Sequence, residues 1–135
     1  MTKNASIRIL IADDNDHVRN DLCSLLQEQR GWVVCGQAKN GTDAVREAIR
    51  LTPDVILVDV SMPDMNGFEV ANRIHEQLPV CEILIVTEHD YRLLAHIERP
   101  PGVRGYVMKS HAHSDLVPAV DAASKHRPLS ASASA

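Results

Sequence analysis

Five short apolar runs alternate with segments of helical period, and this alternation constrains the fold more than any other feature of the sequence. The runs cover residues 7–11, 32–35, 55–58, 83–86 and 103–107. Most of their residues are β-branched, and polar residues rarely interrupt them, which is typical of strands covered on both faces. The pattern predicts a doubly wound α/β fold around a five-stranded parallel sheet.

Apolar residues between the runs recur at helical spacing and predict five helices. The marker residues are Val18, Leu22, Leu25 and Leu26 for the first helix, Ala44, Val45, Ala48, Ile49 and Leu51 for the second, Phe68, Val70, Ala71, Ile74 and Leu78 for the third, Tyr91, Leu94 and Ile97 for the fourth, and Leu116, Val120 and Ala123 for the fifth. Pro53 and Pro79 follow the second and third helices and end them. If Ser114 or Asp115 is the N-cap of the fifth helix, Pro118 lies in its first turn, where proline is tolerated.

Length and composition fit one soluble globular domain. The chain has 135 residues and a net charge of −4, which argues against direct nucleic-acid binding because phosphate contacts need clustered Lys and Arg. No apolar run approaches the roughly 20 residues that span a bilayer, and the N-terminus lacks the apolar core of a signal peptide. The three cysteines form no Cys-x-x-Cys pair, which favours free thiols in a reducing cytoplasm.

The end of the chain differs in character from the rest. Residues 127–135 are mostly Pro, Ser and Ala, without a core-forming pattern. We expect residues 1–126 to form the domain and residues 127–135 to form a flexible tail or the start of an interdomain linker.

Polar residues that can carry chemistry lie at the ends of the apolar runs. Asp13 and Asp14 follow the first run, Asp59 ends the third, Thr87 ends the fourth, and Lys109 comes two residues after the fifth. In an open parallel sheet, sites form beyond the carboxyl ends of the strands. We therefore expect three carboxylates, a hydroxyl and an ammonium group to meet at one edge of the sheet.

Three neighbouring carboxylates repel one another and need a cation or altered protonation. An all-oxygen ligand set suits a hard ion such as Mg²⁺. The alternative for Asp13 and Asp14 is helix capping, because acidic residues are favoured at helix N-termini. Asn15 or Asp16 could fill that role equally well, which leaves the earlier pair free.

Asp59 alone could be an ordinary turn residue. Pro63 and Gly67 follow it, however, and predict a rigid, sharply turning loop into the third helix. A fixed, exposed carboxylate beside a metal ion suits a nucleophile. Lys109 could be a solvated lysine, but its position near three carboxylates favours an ion pair.

In these motifs the sequence resembles the receiver domain of two-component response regulators, over roughly residues 7–123. The resemblance is carried by the acidic pair Asp13-Asp14, the strand that ends at Asp59, the loop Met62-Pro63-Asp64-Met65-Asn66-Gly67, Thr87, and the segment Gly105-Tyr106-Val107-Met108-Lys109-Ser110. It implies a flavodoxin-like fold with strand order 2-1-3-4-5. It also implies a phosphorylation-dependent switch rather than an enzyme with a turnover substrate.

The resemblance further implies a role for each matching residue. Asp59 would accept a phosphoryl group from a phosphohistidine on a sensor histidine kinase. Mg²⁺ would be bound by Asp14, Asp59 and the backbone carbonyl of Ser61, with Asp13 assisting through water. Lys109 and Thr87 would contact phosphoryl oxygens, and Tyr106 would move from an exposed to a buried rotamer and reshape the face made by the fourth helix, fifth strand and fifth helix.

The segment around Tyr106 is most similar to the LuxR-type (NarL/FixJ) branch, in which a linker and a DNA-binding domain follow the receiver. That similarity implies a transcriptional output and dimerisation on phosphorylation. Two departures stand out. Glu88 occupies a position that is usually small in the family, and we expect its carboxylate to crowd or repel the incoming phosphoryl group. Pro100 and Pro101 shorten the fourth helix, because proline cannot continue a helix.

Two other functions fit parts of the pattern. A Mg²⁺-dependent phosphatase could use Asp59 as its nucleophile, but the acid/base Asp that such enzymes carry two residues later is Ser61 here. A stand-alone or degenerate receiver could act through protein contacts without phosphorylation, and Glu88 keeps that alternative open.

Overall fold

The computed structural model describes residues 6–89 and 99–125, which form alternating strands and helices. The elements are β1 (Ile7–Ala12), α1 (Asp16–Gln27), β2 (Trp32–Ala38), α2 (Gly41–Leu51), β3 (Val55–Asp59), α3 (Gly67–Gln77), β4 (Glu82–Thr87), β5 (Val103–Met108), a 3₁₀ turn (Lys109–His111) and α4 (Ala112–Ser124). The helix predicted around Tyr91, Leu94 and Ile97 and the predicted tail lie outside the described residues.

The five strands form one parallel sheet in the order β2-β1-β3-β4-β5. This order confirms the predicted doubly wound, flavodoxin-like fold. The register aligns the carboxyl ends of the strands: Ala12 pairs with Val58, and Thr87 pairs with Met108. Residues that follow β1, β3, β4 and β5 therefore emerge at the same edge of the sheet.

Both faces of the sheet are buried, and successive strand residues point to opposite layers. One layer packs Leu10, Ile56, Ile83 and Ile85 against Ala44 and Ala48 of α2 and Val70 and Ile74 of α3. The other packs Ile9, Leu57, Leu84 and Val86 against Leu22 and Leu26 of α1 and Leu116 and Val120 of α4. No helix in residues 6–89 or 99–125 has the length and apolar character needed to cross a bilayer.

Three helices begin with an asparagine cap. The Asn15, Asn40 and Asn66 side chains accept hydrogen bonds from backbone N–H groups in the first turns of α1, α2 and α3, respectively. Such caps satisfy N–H groups that the helix leaves unpaired. Because Asn15 caps α1, Asp13 and Asp14 are not needed for that purpose.

Helix α4 corresponds to the predicted fifth helix, and its start differs from the prediction. The 3₁₀ turn leads directly into the helix at Ala112, so Pro118 lies inside the helix rather than in its first turn. Ser114 lies inside the helix and not at its cap position, and its hydroxyl donates to the His111 carbonyl at 3.2 Å. Neither Ser114 nor Asp115 is the N-cap. His111, the last residue of the 3₁₀ turn, occupies that position without a side-chain cap hydrogen bond.

Candidate functional site

Three aspartates lie together at the carboxyl edge of the sheet. Asp13 and Asp14 follow β1, and Asp59 is the last residue of the central strand β3. One carboxylate oxygen from each lies within 4.8 Å of the others. Asp13 is 1% exposed and Asp59 4%, whereas Asp14 is exposed. The structure thus places the three predicted carboxylates in one acidic cluster.

Lys109 extends into this cluster from the end of β5. Its Nζ atom lies 2.8 Å from Asp13 Oδ2 and 3.4 Å from Asp59 Oδ2. Burial alone would lower the pKa of Lys109, but the hydrogen bond to Asp13 and the charges of Asp59, Asp13 and Glu88 raise it. The lysine is therefore a fixed positive charge at neutral pH.

The pKa of Asp59 is raised from 3.8 to about 6. Burial of the carboxyl group is the largest cause, and the negative charge of Asp13 adds to it. Lys109 and the Ser61 N–H oppose the shift, since both favour the ionised form. One lysine thus leaves part of the negative charge of this cluster uncompensated.

A cavity of about 360 Å³ opens over Asp59. Its lining residues are Asp14, Asn15, Asp59, Val60, Ser61, Glu88, His89 and Lys109. Asp14 and Asp59 contribute to this lining, whereas Asp13 is almost wholly enclosed and contacts Lys109. Two of the three carboxylates are therefore open to a small ligand.

The loop after β3 is held close to Asp59. The Val60 N–H donates to the Val86 carbonyl at 3.0 Å, and the Gly67 N–H donates to the Val60 carbonyl at 2.9 Å. The Ser61 N–H points to Asp59 Oδ1 at 3.4 Å. A Cβ atom on Gly67 would lie 2.6 Å from the Asp59 carbonyl oxygen, so this approach requires glycine.

Thr87 and Glu88 lie at the end of β4. Thr87 is fully buried, and its Oγ1 accepts a hydrogen bond from the His89 N–H at 3.0 Å. The Glu88 side chain is 69% exposed at the cavity, with Oε2 4.0 Å from Lys109 Nζ. Glu88 is thus a fourth carboxylate at this site, on its solvent side.

Tyr106 lies on β5, away from the cavity lining. Its ring is half-buried, and the Arg99 guanidinium carbon lies 5.4 Å from the ring centroid. Tyr106 and Arg99 also line a second cavity with Asp115 and Pro118 of α4. The structure places Tyr106 at the β5–α4 face, and its role as a switch stays a prediction.

Asp64, which the sequence identified only as part of the loop after β3, connects the β3–α3 loop to α2. Its carboxylate accepts from the Gly41 N–H at 2.7 Å, the Thr42 N–H at 3.0 Å and the Thr42 hydroxyl at 2.6 Å. These hydrogen bonds lower the pKa of Asp64 to about 2, and the bond from the Thr42 hydroxyl contributes most. Its partners lie more than 20 residues earlier in the chain, so no local pattern could have identified them.

Arg19 was also not predicted from the sequence; it is a buried arginine on α1 that contacts the loop bearing Asp13. A signal for this residue was present. Arg19, Leu22 and Leu26 follow the spacing of one helix face, so a charged residue occupies a core position in the apolar stripe. Charges are rarely buried unless they are paired or hydrogen-bonded, and such a position indicates a specific partner.

The donor set fits Mg²⁺. Carboxylate oxygens on three residues lie close together, and the cluster carries more negative charge than Lys109 balances. Mg²⁺ prefers oxygen ligands, keeps several waters and commonly uses one or two protein carboxylates. Asp14 and Asp59, which line the cavity, could contact such an ion directly, whereas the enclosed Asp13 is better placed to act through water.

The sequence matches the family model for the response regulator receiver domain over residues 9–121. The transcriptional regulatory protein LiaR of Bacillus subtilis is 36% identical over 124 residues, which cover 90% of this chain and 58% of LiaR. The response regulator protein VraR of Staphylococcus saprophyticus is 32% identical over 114 residues, covering 84% of this chain and 54% of VraR. The chain thus spans less than two thirds of these relatives.

Solved structures show the same fold. A LuxR-family two-component response regulator from Aurantimonas superposes with a TM-score of 0.80 at 30% identity, covering 91% of this chain and 88% of the other. The signal receiver domain of NarL from Mycobacterium tuberculosis gives a TM-score of 0.79 at 28% identity, covering 92% and 100%. The predicted similarity to the LuxR-type (NarL/FixJ) branch is confirmed.

Proposed function

Because the chain belongs to the response regulator receiver domain family, we propose that it is a phosphorylation-dependent switch with Asp59 as the phosphoacceptor. The observation that carries this proposal is the position of Asp59. Its carboxylate ends the central strand, lines an open cavity, and lies within 3.4 Å of a lysine among two further carboxylates.

The phosphodonor is a phosphohistidine on a sensor histidine kinase. An oxygen of Asp59 forms the new P–O bond while the P–N bond of the donor breaks, and the departing imidazole takes up a proton. This transfer needs positioning and charge neutralisation more than covalent machinery. The cavity of about 360 Å³ admits a phosphoryl group beside Asp59.

Asp14, Asp59 and the Ser61 backbone carbonyl would hold Mg²⁺, with Asp13 contributing through water. The bound ion would neutralise phosphoryl oxygens during transfer. Asp13 has a second role on the protein side, because its contact with Lys109 holds the ammonium group near Asp59.

Lys109, Thr87 and Tyr106 would convert the new charge into a conformational change. Lys109 would pair with one phosphoryl oxygen, and the Thr87 hydroxyl would donate to another. Thr87 and Tyr106 lie on the neighbouring strands β4 and β5. Movement at Thr87 would therefore reach the face on which Tyr106 contacts Arg99.

The output would be transcription regulation through a LuxR-type DNA-binding domain in the whole protein. LiaR is named a transcriptional regulatory protein, and this chain covers only part of it. We place the protein in the cytoplasm, with homodimerisation on phosphorylation as the coupling step. The net charge of −4 disfavours direct nucleic-acid contact by this domain. Residues 1–126 would form the receiver and residues 127–135 the tail or linker.

The protein would catalyse only its own phosphoryl transfer and dephosphorylation. Glu88 supports one further candidate, a receiver that acts through protein contacts without phosphorylation. Its carboxylate lies at the cavity, 4.0 Å from Lys109, where it opposes the approach of an anion. The contact-only receiver, the Mg²⁺-dependent phosphatase considered from the sequence, and the switch would each react differently with a small phosphodonor.

Incubation with Mg²⁺ and acetyl phosphate tests the proposal. We expect intact-mass spectrometry to show the addition of one phosphoryl group, and Asp59→Asn to abolish it. Asp21→Asn is a matched control, since it removes an exposed carboxylate on α1 outside the cavity lining and leaves the acceptor in place.

Other outcomes would identify the alternatives. Repeated turnover of a phosphate ester, lost in Asp59→Asn, would support a phosphatase. The absence of an adduct with either acetyl phosphate or a phosphorylated kinase domain would contradict the switch and support the contact-only receiver. An adduct that persists in Asp59→Asn would show that another residue is the acceptor.

A further inference from the structure

Arg19 on α1 is 6% exposed and is held by three polar contacts. Its Nη1 donates to the Asp13 backbone carbonyl at 2.9 Å, its Nε donates to Gln37 Oε1 at 2.8 Å, and its Nη2 donates to Asp16 Oδ1 at 2.6 Å. One guanidinium group thus joins the β1–α1 loop, strand β2 and the first turn of α1.

These contacts do not form an ordinary buried ion pair. The only carboxylate among the three partners belongs to Asp16, whose side chain is 69% exposed, and the other two partners are a neutral amide and a backbone carbonyl. A buried charge is costly unless it is well matched. Surface pairing with Asp16 does not require a buried arginine, whereas contact with the enclosed Asp13 carbonyl does.

Asp13 is fixed at both ends of its main chain and at its side chain. Its N–H donates to the Ala38 carbonyl at 3.1 Å, and its own carbonyl accepts from Arg19. Its Oδ1 accepts from the Asn15 N–H at 2.9 Å, and its Oδ2 contacts Lys109. The Arg19 bond restrains the peptide that links Asp13 to Asp14, because it fixes the direction of that carbonyl.

We propose that Arg19 is a positioning residue for the acidic pocket, acting through the Asp13 carbonyl to set where the Asp13 and Asp14 carboxylates lie. This inference rests on the proposed Mg²⁺ site. Rotation of the Asp13–Asp14 peptide would turn Asp14 away from Asp59 and loosen the Asp13 contact with Lys109. Groups that orient metal ligands in this way commonly change metal affinity by about 10- to 100-fold when they are removed.

The test compares Arg19→Met and Arg19→Lys with the wild-type chain. Mg²⁺ affinity is measured by titration calorimetry at a temperature where circular dichroism shows each variant to be folded. We expect Arg19→Met to bind Mg²⁺ about tenfold more weakly or worse. The Mg²⁺ affinity of Arg19→Lys should fall between those of the wild type and Arg19→Met, because an ammonium group can keep one of the three bonds. Arg46→Met is the control, since it removes an exposed arginine paired with Asp43 on α2.

A second measurement does not depend on the metal. Amide hydrogen exchange in metal-free protein reports the Asp13 and Asn15 N–H bonds directly. We expect both amides to exchange faster in Arg19→Met relative to amides of β3 in the same sample. If Arg19→Met does not fold, Arg19→Lys and Gln37→Leu decide the question, since Gln37→Leu removes the Nε contact and keeps the charge.

The outcomes separate this inference from the proposed function. Wild-type Mg²⁺ affinity and unchanged exchange of the two amides in a folded but less stable variant would overturn the positioning role. If the wild-type protein binds no Mg²⁺, the proposed metal site fails. In that case faster exchange of Asp13 and Asn15 would still support the positioning of the loop by Arg19, and unchanged exchange would overturn it.

Discussion

The Lys109 ammonium group lies closer to Asp13 than to Asp59, at 2.8 Å against 3.4 Å. The lysine is therefore anchored by Asp13 and shared with Asp59, the proposed acceptor. A phosphoryl group on Asp59 would bring additional negative charge to the side of the lysine that is less tightly held. This asymmetry would let the same ammonium group stabilise the unmodified pocket and respond to the proposed phosphorylation of Asp59.

Replacement of Lys109 by methionine should affect stability and metal binding in opposite directions. Loss of the positive charge leaves Asp13 and Asp59 buried with uncompensated repulsion, and we expect the metal-free protein to lose about 3 kcal/mol of unfolding free energy. The same loss should tighten Mg²⁺ binding, because a competing cation is gone. Urea unfolding in EDTA and titration calorimetry measure the two effects.

Lys125→Met is the matched control for this substitution. Lys125 is 73% exposed and pairs with Asp121 across one turn of α4 at 3.1 Å. Exposed pairs contribute roughly 0–1 kcal/mol, so stability and Mg²⁺ affinity should change little. Equal losses of stability in both variants would contradict a special role for the lysine in the pocket.

Asp59 should make the metal-free protein less stable as the pH rises. Its pKa is about 6 in the folded state against 3.8 as the ordinary value. Between these values the folded state holds a proton that the unfolded state has lost, so raising the pH favours unfolding. The unfolding free energy of Asp59→Asn should therefore exceed that of the wild type by about 1–3 kcal/mol at pH 7–8 in EDTA. Below pH 4 the two unfolding free energies should be equal.

Asp64→Asn provides a comparison of opposite sign. Hydrogen bonds from Thr42 and Gly41 lower the pKa of Asp64 to about 2, so its ionised form stabilises the folded state above its ordinary pKa of 3.8. The variant should be less stable than the wild type at pH 7, and the difference should disappear as the pH falls towards 2. Urea unfolding across pH 2–8 measures both variants, and parallel pH curves for the two would refute at least one of the two assignments.

Most of the fold could be predicted because its strands are covered on both faces. Nearly uninterrupted β-branched runs separated by helical stripes leave few alternatives to a doubly wound sheet, and parallel pairing then brings Asp13, Asp59 and Thr87 to one edge. The partners of two side chains outside this edge of the sheet were not predictable. Asp64 bonds to residues of α2, and the bonds of Arg19 to Gln37 and the Asp13 carbonyl follow from helix docking rather than from local sequence.

Glu88 should slow phosphorylation by small anionic donors. Its carboxylate lies at the cavity and 4.0 Å from Lys109, where it repels an incoming phosphate and competes for the lysine. Glu88→Gln keeps the shape and removes the charge, and we expect the initial rate with acetyl phosphate to rise about two- to tenfold at low ionic strength. The difference should shrink as salt is added, because salt screens exposed charges.

Glu28→Gln makes the same change of net charge at a distance from the site. Glu28 is the C-cap residue of α1 and is exposed. The initial rate of phosphorylation of the Glu28→Gln variant by acetyl phosphate should match that of the wild type at every salt concentration. If Glu88→Gln leaves the rate unchanged, Glu88 does not control access to Asp59. A gain that persists at high salt would indicate a steric effect rather than an electrostatic one.

Gly67→Ala should disturb the loop that carries Ser61, and Gly105→Ala should not. A Cβ atom on Gly67 would lie 2.6 Å from the Asp59 carbonyl oxygen and 3.0 Å from Val60 Cα, and backbone atoms cannot move aside as a flexible side chain can. On Gly105, among residues 6–89 and 99–125, it would meet Leu84 Cδ2 at an ordinary 3.7 Å. We expect Gly67→Ala to cost about 1–3 kcal/mol of stability and to weaken Mg²⁺ binding, with Gly105→Ala within about 0.5 kcal/mol of the wild type. Urea unfolding and calorimetry measure both, and normal Mg²⁺ affinity in Gly67→Ala would mean that the loop backbone does not contribute to the metal site.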